Sequence, residues 1–442
     1  MNGDNPRGIF GQSFACPCGR SHSVQPNEVL YAPRAVAHLP EVCGRYAAGR
    51  RCAVLMDTRT RDVAGRSAAD ALTRAGWDVR PLLVEDPPDG QGPVCDDVTR
   101  AALTRRLGEV DLIVPVGSGV LNDLGKWLAF DAGVGFVTFA TAASMNGYTS
   151  ANVAPTVAGV KTLVRARPPQ AVLSDPAVLA DAPYELTAAG LGDVLAKSVS
   201  SADWLLNHRL FGDYYCRRSV GLIAEIEPAY LDRPADLKRR DPAAIEALFD
   251  ALLLTGVAMT LAETSAPASG GEHLIGHSLD MMSSLDGHRH DLHGRQVGVG
   301  TILTAELYRR ALATESPDLV DAPGQIDRAF WGRLADVIAA QYAEKAPRLK
   351  AAKEKLALPD TWDALRQELS RTLRPPEAIH DCLAAAGAAT TAEDIGCDPR
   401  RLLAAFLHAH EIRPRFTVLD LARLLGLLPE AAEEIVQTWA AS

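Results

Sequence analysis

Five of the chain's eleven histidines fall within one stretch, SGGEHLIGHSLDMMSSLDGHRHDLHGRQVGVG, residues 269–300. His273 and His277 are four residues apart, a spacing that stacks two rings on one face of a helix. A polar turn with a glycine separates them from His293, which leads into the apolar run VGVGTILTAEL. Two helices that offer histidines toward one point are how a bundle builds a metal or substrate site. His288 and His290 are expected in the turn between them. Asp193, in GLGDVLAK, adds a carboxylate from an otherwise apolar segment, where an uncompensated charge is costly. One carboxylate and two imidazoles suit Zn²⁺ or another borderline divalent ion, with a position left for water or substrate. The plainer reading of any one of these histidines is an exposed or internally satisfied side chain.

A second set of residues has the character of a nucleotide site. The turn VGSGVLNDLGKWLAF follows the apolar run Asp111 to Val116, and Gly117 and Gly119 flank Ser118 where a helix begins near Val120. Glycines there let the backbone approach a ligand, and the N–H groups of a helix start attract phosphate. The loop continues through Leu121 to Asn122, which stands where a G-x-G-x-x-G fingerprint has its third glycine. Such a junction also carries glycine for structural reasons alone. A second polar loop, Thr141-Ala142-Ala143-Ser144-Met145-Asn146-Gly147-Tyr148-Thr149-Ser150, follows Gly135 to Ala140. Two loops at the carboxyl ends of neighbouring strands form the crevice in which open α/β sheets bind nucleotides. Asp57 closes the run Arg51 to Asp57 and is placed to bond an adenosine ribose; its alternative is a turn or helix cap.

These residues need elements to hold them. Short apolar runs at 51–57, 79–84, 111–116 and 135–140 alternate with helical stretches, Val63 to Ala75 and Cys95 to Leu107 among them. That alternation predicts a parallel sheet covered on both faces. After Pro176 the pattern becomes helical throughout, with Pro242 to Glu263 and Leu274 to Met282 apolar and later helices broken at Pro359, Pro375-Pro376 and Pro414. The expected architecture is an α/β Rossmann-like domain at residues 1–178 and an all-helical domain at 179–442.

Length and composition agree with this division. A chain of 442 residues exceeds one ordinary core, and 47% hydrophobic with 23% charged residues is globular. A net charge of −10 and a pI near 5.6 exclude a basic nucleic-acid footprint. No continuous apolar run reaches the roughly 18–20 residues that span a bilayer, and the N-terminus lacks a secretory signal pattern. A cytoplasmic protein is expected, with most of its eight cysteines as buried thiols. Residues 1–26 read as irregular around FACPCGRSHSV. There Cys16, Cys18 and His22 are donors in principle, but C-x-C is tight beside the usual C-x2-4-C of zinc sites, and the stretch reads as a short hairpin with incidental thiols.

Five ordered motifs, GSGVLNDLGK, TAASMNGYTS, GLGDVLAK, SGGEHLIGH and LHGRQVGVG, resemble those of the sn-glycerol-1-phosphate dehydrogenases. That family lies in the superfamily of iron-type alcohol dehydrogenases and dehydroquinate synthases. The resemblance runs over most of the chain, and the C-G-x-x-H element near the N-terminus and RPRFTVLDLARLLG near the C-terminus are similar to its bacterial branch. It implies a dehydroquinate-synthase-like fold and makes Asp193, His273 and His293 ligands of one divalent ion (zinc, nickel or iron). Asp193 and His277 would also face the substrate. The loop Gly117 to Asn122 would cradle the pyrophosphate of NAD(P), with Thr141, Ala142, Ala143, Ser144 and Ser150 completing the cofactor site. The implied reaction is reduction of dihydroxyacetone phosphate to sn-glycerol 1-phosphate or its reverse, with water or His277 relaying the proton.

Two positions depart from the family pattern. Asn146 stands where the family usually has a substrate-contacting aspartate, and asparagine keeps hydrogen bonding without charge; a related small ketone or polyol phosphate is the alternative substrate. Lys197 occupies a place where iron-type alcohol dehydrogenases carry a further histidine ligand. It would meet an anionic substrate group or form an ion pair with Asp193 or Glu272. A dehydroquinate-synthase-like cyclase and a non-catalytic member of the fold are the rival functions. A homodimer is the base-rate assembly.

Overall fold

A computed structural model of the chain describes residues 6–87 and 92–441; the first five residues of the stretch expected to be irregular lie outside the described residues. The chain packs as two compact units. One comprises the described residues up to Gly190 together with Gly221–Glu263, and the other Leu191–Val220 together with the residues from Thr264 onward.

The first unit begins with a hairpin of β1 (Ser13–Ala15) and β2 (Ser21–Ser23). Its centre is a six-stranded parallel sheet of β3 (Glu28–Tyr31), β4 (Arg51–Asp57), β5 (Asp78–Val84), β6 (Leu112–Gly117), β7 (Gly135–Ala140) and a last strand, Ala171–Ser174. The spatial order is β3, Ala171–Ser174, β7, β6, β4, β5. Successive residues of a strand face opposite sides, so one unbroken apolar run serves two cores. Cys52, Val54 and Met56 pack with Leu112, Val114, Val116 and the helices α1 (Leu39–Tyr46) and α2 (Arg66–Arg74). Ala53, Leu55 and Ile113 pack with Leu103 and Leu107 of α3 (Asp97–Leu107) and Leu121, Leu124 and Leu128 of α4 (Gly119–Ala132). Pro81 lies on β5, the edge strand, where a missing N–H is tolerated. The expected helix from Val63 is instead a π-type turn, Arg61–Gly65, followed by α2. Between β7 and the last strand of the sheet, residues 152–165 form two small antiparallel ladders, Asn152–Val153 with Val164–Arg165 and Thr156–Val157 with Val160–Lys161, which the sequence reading did not anticipate.

The helices continue as α5 (Pro176–Asp181), α6 (Tyr184–Leu195), α7 (Lys197–Phe211), α8 (Arg217–Ile226), α9 (Pro228–Leu231), α10 (Pro234–Lys238) and α11 (Pro242–Ala262). The expected boundary at 178/179 differs from the packing because α11 belongs with the sheet. The Thr149 hydroxyl donates to the Leu253 carbonyl at 2.6 Å, and the Thr260 hydroxyl donates to the Thr149 carbonyl at 3.1 Å. Leu254, Val257 and Leu261 of the same helix bury against Ile9 and Val24. By length and composition α11 could cross a membrane, contrary to the expectation that no segment would; most of it is buried within its unit.

The second unit is helical. Its middle is the pair α12 (Gly271–Asp286) and α13 (His293–Ala313), followed by α14 (Arg328–Trp331), α15 (Ala335–Leu356), α16 (Pro359–Leu369), α17 (Pro376–Ala386), α18 (Pro399–His408), α19 (Val418–Leu424) and α20 (Ala432–Trp439). Pro359 and Pro376 open their helices, where a missing N–H costs nothing, whereas Pro347 lies inside α15. Lys345 of α15 is fully buried; its ammonium donates to Asp420 at 2.9 and 3.2 Å and to the His410 carbonyl. Asp420 also caps α19 through Thr417. Removing one partner of a buried pair strands the other charge. Lys345→Met is therefore expected to cost about 3–5 kcal/mol in urea denaturation, and adding Asp420→Asn, which keeps the cap, is expected to recover most of it.

Candidate metal and nucleotide sites

In the helical unit α6 supplies Asp193, α7 supplies Lys197, α12 supplies His273 and His277, and α13 starts at His293. The helices meet backbone to backbone: a Cβ on Gly192 would lie 2.1 Å from the Gly294 carbonyl oxygen. Only glycine at 192 permits that approach, and it sets Asp193 beside His293. His273 Nε2 is 3.5 Å from Asp193 Oδ1. The ring centres of His273 and His293 are 5.2 Å apart, and His277 and His293 stack at 5.3 Å. Asp193, His273 and His277 are buried and His293 half-buried. The structure thus brings together all three expected ligands and His277. His288 and His290 lie in the exposed turn between α12 and α13, as expected.

The donor set fits a divalent ion. His273 Nδ1 lies 2.7 Å from Glu272 Oε1, the carboxylate–imidazole contact that fixes a ligating histidine's orientation and leaves its other nitrogen toward the ion. Glu272 Oε1 also accepts from the Gly270 N–H at 2.7 Å, which pins the carboxylate. Lys197 Nζ is 3.3 Å from Asp193 Oδ1 and donates to the Ala268 carbonyl at 3.0 Å. That is the ion-pair alternative for Lys197. Burial would raise the Asp193 carboxyl, but Lys197 and His273 outweigh it and hold Asp193 well below the usual carboxylate range. Burial likewise lowers the Lys197 ammonium despite Asp193 and Glu272. For His273 burial opposes the charged ring, yet the bonds to Asp193 and Glu272 prevail and raise its proton affinity. The site attracts positive charge.

A further buried carboxylate supports this geometry and had no signal in the sequence. Asp203 of α7 accepts from the Gly271 N–H at 2.7 Å, the Val418 N–H at 2.8 Å and the Tyr308 hydroxyl at 2.5 Å. It fixes the first turn of α12, two residues ahead of His273.

In the sheet unit the chain runs from β4 out to β5 and then returns to the other side of β4 as β6. The strand order reverses between β4 and β6, the place where open α/β sheets bind ligands. Asp57 ends β4 and Gly117 ends β6, so both border this switch point. Asp57 Oδ1 accepts from the Arg59 N–H at 2.9 Å and the Thr60 N–H at 2.7 Å, which realises the turn-cap alternative for this residue. Ser118 stands at the N-cap of α4. Val120 is half-buried, while Leu121 belongs to the core, so this loop offers backbone rather than side chains. Asn122 is buried, and its side-chain oxygen accepts from the Thr138 hydroxyl at 2.8 Å; it ties α4 to β7.

The second loop is adjacent: the Thr141 N–H donates to the Gly117 carbonyl at 3.2 Å. Ala142, Ala143 and Ser144 are buried. Asn146 opens a 3-10 turn, Asn146–Thr149, and is half-buried. Lys126 was not singled out in the sequence, although it lies in the same motif as Gly117. Its fully buried ammonium donates to the Gly147 carbonyl at 2.6 Å, the Ser150 hydroxyl at 3.1 Å and the Asn152 carbonyl at 3.1 Å. Ser150 therefore helps to anchor the loop.

Solved structures with the same architecture include a probable glycerol dehydrogenase from Sinorhizobium meliloti (TM-score 0.60, 19% identity, 93% of this chain and 98% of that one). Glycerol dehydrogenase from Schizosaccharomyces pombe is a second (TM-score 0.61, 15% identity, 97% and 93%). Residues 30–183 match the family of iron-containing alcohol dehydrogenases. That match and the shared fold agree on this class. Glycerol-1-phosphate dehydrogenase [NAD(P)+] of Thermococcus kodakarensis is 31% identical over 94% of this chain and 97% of its own length. The enzyme of that name from Geobacillus stearothermophilus is 31% identical over 91% and 94%. The chain belongs to the glycerol-1-phosphate dehydrogenase family.

Glu272→Gln is expected to weaken divalent-metal affinity by about 10- to 100-fold, as loss of such an orienting carboxylate generally does, measured by competition with a chelating dye. Metal binding needs neutral imidazoles. Because the proton affinity of His273 is raised, metal affinity should begin to fall while the pH is still above the ordinary imidazole value of about 6.5. Competition with a chelating dye at stepped pH would show it; an affinity for this cluster that does not change with pH would remove His273 from the ligand set.

Proposed function

We propose that this chain catalyses the NAD(P)H-linked reduction of dihydroxyacetone phosphate to sn-glycerol 1-phosphate, or the reverse, at the Asp193–His273–His293 cluster. The convergence of that carboxylate and two imidazoles, with Glu272 orienting His273, is the observation that carries the reading. Relatives that match nearly the whole chain are named glycerol-1-phosphate dehydrogenases. When bound, the ion would polarise the ketone oxygen as a Lewis acid and the nicotinamide would supply hydride.

The chain's own residues prepare the rest. Asp193, His273 and His293 hold the ion, and Lys197 keeps Asp193 oriented. His277, one helical turn from His273, is placed to pass a proton to the nascent alcohol. The Gly117 to Asn122 loop presents backbone N–H groups at the start of α4 to the dinucleotide phosphates, with Thr141 to Ser144 and Ser150 lining the same end of the sheet. Asp57 would favour NAD over a 2′-phosphorylated cofactor if its second oxygen reaches the ribose. Asn146 would contact the substrate through neutral hydrogen bonds. On this proposal the enzyme works as a homodimer, the commonest assembly of soluble oligomers, in a cytoplasmic setting.

The test is a reduction assay on metal-reconstituted protein with phosphorylated and unphosphorylated small ketones. Dihydroxyacetone phosphate is expected to consume NAD(P)H fastest. Indifference to it while another ketone turns over would overturn the substrate, with Asn146 the residue to change first. Asp193→Ala is expected to lose the metal of this cluster and turnover; full retention of either would remove Asp193 from the centre.

A further inference from the structure

The N-terminal hairpin holds a group of donors that the reaction does not use. Cys16, Cys18 and His22 sit at its closed end, where Cys16-Pro17-Cys18-Gly19 makes a tight turn. The Gly19 N–H donates to the Cys16 carbonyl at 3.0 Å, and the Cys16 N–H donates to the Arg20 carbonyl at 2.9 Å. Proline second and glycine fourth are favoured residues of such a turn. Gly19 has φ +86°, a conformation that suits glycine and reverses the chain within these few residues. The turn removes the objection to C-x-C spacing, because both thiols come to the same end of the hairpin. His22 is returned to them by β2, paired with Phe14.

The resulting geometry is that of a ligand set. The Cys16 and Cys18 sulfurs and a His22 ring nitrogen all lie within 4.8 Å of one another, and Cys18 Sγ is 3.3 Å from His22 Nε2. Zinc–sulfur and zinc–nitrogen bonds of about 2.3 and 2.0 Å at a tetrahedral angle place ligand atoms about 3.5–3.8 Å apart. His22 is buried and both thiols are half-buried, so the donors face inward rather than to bulk water.

We propose that Cys16, Cys18 and His22 bind a thiolate-preferring divalent ion of the zinc type, at a structural site separate from the Asp193–His273–His293 cluster. Binding expels the two thiol protons to solvent and uses neutral imidazole, with no change of oxidation state. A further donor completes the tetrahedron. The site supplies what the hairpin lacks: strands of three residues each are marginal on their own. Stapling them holds Phe14 beside the cluster that Ile9 and Val24 form with α11.

The experiment uses full-length protein purified under reducing conditions and loaded with Zn²⁺ or Co²⁺. Two metals per chain are expected by elemental analysis, one of them retained in Asp193→Ala/His273→Ala. Cobalt protein should show an intense near-ultraviolet thiolate-to-cobalt charge-transfer band, which an Asp–His–His site cannot produce. That band should persist in Asp193→Ala/His273→Ala and vanish in Cys16→Ser/Cys18→Ser. X-ray absorption of the zinc form should show at least two sulfurs in its shell. A wild-type cobalt spectrum without the charge-transfer band, or a Cys16–Cys18 disulfide in reduced metal-loaded protein, would overturn the proposal without reference to any variant. Because neither readout depends on turnover, the proposed reaction can fail while this site stands, and the reverse.

Discussion

A carboxylate shut away from water must be met by positive charge, and the helical unit is arranged around meeting that demand at Asp193. Lys197 supplies one partner from the next helix and His273 another from α12. These contacts require α6, α12 and α13 to come closer than ordinary side chains permit. Gly192 against the Gly294 carbonyl gives that closeness. Glu272 and Asp203 then hold the beginning of α12, so that His273 presents a defined nitrogen. The cluster is strained electrostatically toward cations, and a divalent ion is the compact way to satisfy it.

The sheet unit works by a different principle. Its side chains are mostly consumed by packing, and the two loops beyond β6 and β7 offer backbone at a switch point. Residues expected as ligand contacts also serve as fasteners. Asn122 ties α4 to β7, Asp57 caps a turn and Ser150 accepts from Lys126. Lys126 is the central fastener, since one buried ammonium gathers three acceptors from the loop that carries Asn146. Positioning this loop through a buried cation costs desolvation but leaves little freedom for the loop to wander.

The strands at 51–57 and 135–140 were legible because an unbroken apolar run between polar ends has few alternatives to a doubly covered strand. The histidine helices were legible from the spacing of His273 and His277. The small ladders at 152–165 were not, since their two-residue strands carry no period. Nor was the attachment of α11 to the sheet. It depends on the Thr149 and Thr260 hydroxyls, which link positions over one hundred residues apart. The hairpin thiols were visible as residues, but their meaning depended on a turn closed by Gly19.

By itself, the sequence determined the alternation of strands and helices, the residue types able to ligate a metal and the glycine turn able to admit a phosphate. These are local properties, carried by spacing and side-chain chemistry. Tertiary structure alone decided which donors share a point. Asp193 and His293 are neighbours only because two helices touch through glycine, and Lys197 spends its charge on Asp193 because both are buried together. Convergence and burial are properties of packing, and no spacing along one chain encodes them until the chain has folded.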